Sequence, residues 1–165
     1  MSDKTLAERL QPSLLDRLTD HEPGNLKETR ESRVIDVSRL RDIIQRDLSW
    51  LLNTGNIQST FDDTLYPNVA RSVLNYGLTE VSGEYSTTRR AELIRQSIMR
   101  AIEAHEPRII PGTVDVTLTP GEEATDMSVS LIIRADMWAQ PMPMELYLRS
   151  KVDVTTGEVM VERSR

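Results

Sequence analysis

A carboxylate and an arginine flank a proline in one short stretch, AHEPRIIPGTVDV, at residues 104–116, and a second carboxylate stands just before it. Glu106 and Arg108 flank Pro107, and Glu103 lies one helical turn before Glu106. Paired carboxylates are the tools of glycoside hydrolysis, at separations of about 5–5.5 or 6.5–9.5 Å across a cleft. An i,i+3 pair on a helix comes near such distances, as many surface pairs do. Glu103 and Glu106 therefore make a peptidoglycan (glycoside) hydrolase the alternative reading of this chain. A sugar cleft also uses aromatic platforms, and the chain holds one Phe, two Trp and four Tyr. The bland reading of Glu-Pro-Arg is a helix stop, with Arg108 over the last carbonyls, where a cation is favoured. Glu106 does not suit that reading, because a carboxylate at a helix C-terminus is repelled by the macrodipole. It calls for a cation, on a neighbouring helix or on another protein. Glu106, Pro107 and Arg108 thus read as an attachment corner.

Other chemistries find little support. There is no Cys, which excludes disulfides, zinc–thiolate sites and thiol nucleophiles. The two histidines, His21 and His105, have no ligand partner at helical spacing, and no calcium-loop pattern occurs. No metal and no cofactor are expected. There is no Gly-x-Ser-x-Gly and no Gly-rich phosphate loop, so no catalytic residue is assigned. A net charge of −6 argues against a general nucleic-acid binder. Only Lys4, Lys27 and Lys151 are lysines, and the remaining basic residues are Arg. That bias suits a protein interface, and it equally suits a GC-rich genome. The N-terminal MSDKTLAERL lacks a signal peptide's apolar run, and no stretch approaches the roughly 18 apolar residues of a membrane span. A soluble cytoplasmic protein is expected.

The elements that must position the corner follow from periodicity. LAERLQPSLLDRL carries Leu6, Leu10, Leu14, Leu15 and Leu18 at helical spacing, interrupted by Pro12. It is too short to be a stable helix alone, so it must pack on its own domain or on a partner. Residues 19–33 read as a linker, with Pro23 and Gly24. The expected organisation is an amphipathic arm and linker over residues 1–33 and one domain over residues 34–165. Leu40, Ile43, Ile44, Leu48, Leu51 and Leu52 fall on one face of a helix capped by Asp36 or Ser38, with Gly55 as its left-handed stop. YPNVARSVLNYG reads as a shorter helix from Pro67 to Gly77. A third helix, with Thr87 or Thr88 as cap, buries Ala91, Ile94, Ile98, Ala101, Ile102 and His105. The period then changes to two. Val114, Val116 and Leu118 share a face, as do Val129, Leu131 and Ile133, and Met144, Leu146 and Leu148. A TTGE turn leads to a short returning strand, VMVE. With no crossover helices, the strands should form an antiparallel meander covered by helices on one face, an α+β fold.

In this order the motifs resemble a known family. SLLDRL, RDLSWLLNT, YGL at residues 76–78, EPR and the closing SKVDVTTGEV are similar to TssE, the baseplate component of bacterial type VI secretion systems. That family is in turn similar to the small wedge protein of contractile phage baseplates. One departure is Gly55, where the family often carries a basic residue. The resemblance implies a structural role beside the wedge proteins TssF and TssG, near the inner membrane. It also implies a seat for the sheath proteins TssB and TssC. The sheet would present an edge for strand addition, in which main-chain hydrogen bonds give affinity and alternate side chains give register. Leu14, Leu15 and Leu18 would dock on a wedge partner, and Val159 in the last strand would sit at the accepting edge. The "lysozyme-like" label of the phage relatives has no support in these residues.

Overall fold

Asp36 accepts a hydrogen bond from the Arg39 amide at 2.7 Å and starts the first long helix. This helix, α2 (Val37–Leu52), buries all six apolar residues of its stripe. A short helix, α1 (Leu14–Leu18), precedes it, capped by Ser13. The computed structural model describes residues 13–20, 23–24, 35–80, 87–119, 128–138, 143–153 and 155–163. Leu6 and Leu10 of the expected arm lie outside these, as does most of the expected linker.

Helix α2 does not stop at Gly55. Asn53 closes it instead, donating from Nδ2 to the Ser49 carbonyl at 2.7 Å. Gly55 goes on to bridge Leu78, and the left-handed glycine is Gly77, with φ +117°. A Cβ on Gly77 would stand 2.1 Å from the Thr54 carbonyl oxygen, which leaves room for no other residue type. That carbonyl accepts from the Leu78 amide at 2.7 Å, so the close approach ties the exit of α2 to the YGL segment.

YPNVARSVLNYG does not form one helix. It divides into α3 (Pro67–Ala70) and a 3-10 turn, Val73–Asn75. Ser72 accepts from the Leu74 amide and restarts the chain there. Val73 and Leu74 stay exposed, so this segment has no apolar face to hold a longer helix.

The last helix, α4 (Thr87–His105), buries Ala91, Ile94, Ile98, Ala101 and Ile102. His105, expected in that stripe, is only half-buried. Four strands follow: β1 (Asp115–Leu118), β2 (Ser128–Met137), β3 (Met144–Asp153) and β4 (Val159–Arg163). They form one antiparallel sheet in the order β1-β2-β3-β4. The fold is α+β, with helices first and sheet second. Alternation sets the faces. Val116, Leu131, Ile133, Leu146, Leu148 and Val159 are buried in one core with the stripes of α2 and α4. The other face is polar, with Arg134 over the Tyr147 ring. Helix α2 lies against β4 and α4 against β1.

Candidate partner-binding corner

The corner begins where α4 ends. The Glu106 amide still donates to the Ile102 carbonyl at 2.9 Å, and Pro107 then turns the chain. The turn is bound to the end of β2 on its far side. The Trp138 amide donates to the Arg108 carbonyl at 2.7 Å, and the Ile110 amide to the Asp136 carbonyl at 2.8 Å. The backbone of Glu-Pro-Arg is therefore fixed by helix on one side and sheet on the other.

Pro107 turns Arg108 back toward Glu106. Arg108 Nε donates to Glu106 Oε1 at 2.6 Å, its Nη2 donates to Oε2, and its backbone N–H donates to Oε1 at 3.1 Å. Glu106 is only 5 % exposed. The cation it requires is thus two residues away, joined by a fork of hydrogen bonds that a carboxylate and a guanidinium form well. This geometry answers the macrodipole problem without a second protein.

The pair is part of a longer chain of charges. Arg108 Nη2 also donates to Asp47 Oδ2 at 2.7 Å. Arg46, beside Asp47 on α2, reaches its Oδ1 from Nε at 2.9 Å and from Nη2 at 2.6 Å. Arg46 Nη1 then donates to Asp16 Oδ1 on α1 at 2.6 Å. Charges alternate along Glu106, Arg108, Asp47, Arg46 and Asp16, from the end of α4 across α2 to α1. Burial opposes the charge on Arg108, but its bonds and proximity to Glu106 and Asp47 prevail and raise its pKa. Burial likewise works against ionised Asp16, and the hydrogen bonds from Arg46 and Ser13 outweigh it, holding the carboxyl below its ordinary range. Tyr76 and His105 stand beside the corner edge-to-face, 5.3 Å apart. Burial, then the fields of Asp47 and Glu106, push the Tyr76 phenol up. His105 Nε2 lies 3.2 Å from the Asn75 carbonyl, where it can only donate.

Between α1, α2 and the corner lies a cleft of about 560 Å³, lined by Leu15, Trp50, Tyr76, Glu106, Pro107 and Arg108 among others. Leu14, Leu15 and Leu18 are exposed, and so is Trp50, over whose ring the Arg46 guanidinium sits at 4.8 Å. Helix α1 is therefore held to its own domain through Asp16, while its leucines face outward. Glu103 is exposed and Glu106 is engaged on both oxygens. Among the described residues no His, Asp and Glu side chains cluster as metal ligands, and no helix is long and apolar enough to cross a membrane.

Val159 lies far along the chain from the corner, in β4. Its outward backbone groups are both occupied by Asn53 of α2. The Val159 amide donates to Asn53 Oδ1 and Asn53 Nδ2 donates to the Val159 carbonyl, each at 2.8 Å. Gln45, two turns earlier, donates to the Val161 carbonyl at 3.0 Å. Sequence reasoning missed Asp16, Gln45, Arg46, Asp47 and Asn53. The available signal was the RDLSWLLNT segment itself, whose polar members Arg46, Asp47 and Asn53 interrupt a leucine-rich helix.

One comparison bears on all of this: a family model described as baseplate wedge protein gp25 matches residues 38–142, well over half of the chain. The chain belongs to that family. No curated protein and no solved structure matches it. The gp25 match takes in α2, α4, the Glu-Pro-Arg corner, β1 and β2. Helix α1 and strands β3 and β4 lie beyond it.

Proposed function

We propose that this gp25-family chain is a non-enzymatic subunit of a type VI secretion baseplate. In this reading it binds the wedge proteins TssF and TssG and seeds the sheath of TssB and TssC by strand addition. Residues 34–165 serve as the wedge domain and residues 1–33 as an arm. The place of action is the cytoplasm, near the inner membrane. One observation carries the reading. The match to a baseplate wedge family spans a corner that is locked by its own charges and built to stay rigid. A rigid corner with apolar groups beside it suits attachment. Pro107, Leu15 and Trp50 line the cleft, and Leu14 and Leu18 stand exposed next to it. Exposed apolar patches of this kind mark interaction sites.

The geometry supports a structural role over hydrolysis. A general acid must present a proton to its substrate. Both Glu106 oxygens accept hydrogen bonds from Arg108, and Glu103 stands exposed outside the cleft lining. Co-expression with TssF and TssG tests the reading. The chain should co-purify with both, and a Leu14→Ser/Leu18→Ser variant should co-purify far less while keeping its melting temperature. Failure of the unaltered chain to bind either protein would sink the assignment. Release of soluble sugars from purified peptidoglycan, lost in a Glu106→Gln variant, would favour the hydrolase.

A further inference from the structure

A four-stranded meander has two outer edges, and this molecule treats them differently. On β4 the register Val152↔Val159 and Ser150↔Val161, with Asp153 donating to the Glu158 carbonyl at 2.9 Å, turns the backbone of Val159 and Val161 outward. There the side-chain amide of Asn53 does what a neighbouring strand would do. It gives one N–H and takes one N–H at 2.8 Å each, and Gln45 adds a third bond. The edge of β4 is closed by a surrogate peptide group.

On β1 the Thr119 amide donates to the Ser130 carbonyl at 2.9 Å, so Thr117 and Asp115 face β2 while Val116 and Leu118 turn their backbone outward. Among the described residues, a single contact reaches these groups: Arg95 Nη1 to the Val116 carbonyl at 3.4 Å, the far limit of a hydrogen bond. The stronger bonds of Arg95 go to Glu92, at 2.8 and 2.7 Å. A charge parked at an otherwise bare edge is a common guard against unwanted pairing.

We propose that β1, not β4, is the edge that accepts a partner's strand. The occupant is an extended segment of a partner protein with apolar side chains at alternate positions. The proposal rests on the strand-addition reading above and names its site. Residues opposite Val116 and Leu118 would stand on the helix-covered face of the sheet. Leu118, 37 % exposed, and Met99 of α4, half-buried against the core, are the apolar surface waiting there. On the other face Asp115 and Thr117 are exposed and polar, which sets the alternation the segment must carry. Entry at β1 requires Arg95 to give up one long contact, whereas entry at β4 requires three good bonds to break. A second copy is a poor occupant, since pairing would bring together two chains of net charge −6, each with an Arg95 guard at the seam.

Amide hydrogen exchange tests this on the full chain, free and bound to TssB and TssC. The Val116 and Leu118 amides should slow at least tenfold on binding, with Val159 unchanged. Slowing at Val159 instead would overturn the β1 assignment while leaving strand addition standing. No slowing at either edge would overturn strand addition, and this proposal with it. A Leu118→Pro variant removes one outward donor. It should keep its melting temperature and lose sheath capture, while Leu118→Ala keeps capture. Capture by a folded Leu118→Pro chain at the unaltered level would count against β1, and if that variant does not fold the exchange data decide. A β1-paired dimer of the unaltered chain in sedimentation would name a second copy as the occupant and overturn the proposal.

Discussion

Arg108 holds a carboxylate that has almost no water of its own. Removing it leaves Glu106 buried beside Asp47, two negative charges without their shared cation. Breaking a buried pair by deleting one partner costs on the order of 3 kcal/mol. Arg108→Ala should therefore lower the unfolding free energy of the isolated chain by about that much, read as a lower urea midpoint. Arg108→Lys should recover only part, because an ammonium cannot fork to both Glu106 oxygens. An unchanged midpoint in Arg108→Ala would assign the pair to attachment alone. Asn53 is the other decisive residue. Asn53→Asp keeps the acceptor for the Val159 amide but sets an oxygen against the Val159 carbonyl. A loss of about 1–3 kcal/mol is expected, together with faster exchange of the Val159 amide. The corner's need for a cation was legible in the sequence, because Glu106 sits at a helix end. That Arg108 would fill it was not, because the answer depends on how Pro107 turns the chain. Asn53 was hidden for a similar reason: its partner is a backbone group 106 positions away in the sequence.

Periodicity located the elements well wherever burial enforces it. The stripes of α2 and α4 and the alternation of β2 and β3 came straight from the residue pattern. Stops were harder to read. Gly55 looked like the end of α2 because glycine tolerates a left-handed turn, but the amide of Asn53 competed and won. Gly77 was the glycine that needed its freedom. Gly77→Ala should unfold the tie between Thr54 and Leu78 and lower the melting temperature sharply, whereas Gly55→Ala, with open space at its Cβ, should be nearly neutral. The short helix α1 depends on Asp16. The carboxyl of Asp16 has its folded pKa depressed by Arg46 and Ser13. Its contribution is therefore complete above the ordinary Asp value of about 3.9 and is lost as pH falls through the depressed value. Nuclear magnetic resonance should show α1 releasing on acidification before the core melts, and Asp16→Asn should release it at neutral pH. Release on raising the pH would refute this linkage.

At the scale of the whole molecule, one helix serves three neighbours. Helix α2 fills the core with its leucines, carries Arg46 and Asp47 into the charge chain, and covers β4 with Gln45 and Asn53. Disturbing α2 should therefore disturb the arm, the corner and the last strand together. In hydrogen exchange a Leu48→Ala variant should show all three loosening at once, and loosening of the core alone would contradict that coupling. The closed edge of β4 has one more consequence, which concerns growth. A sheet that could bond along both sides would be a repeating unit, able to link copy to copy without end. With one side blocked, each molecule could take part in one such bond and no second. If β1 takes a partner strand as proposed, the molecule would act as a primer with a blocked end, starting a ribbon of other chains without becoming a link in a ribbon of its own.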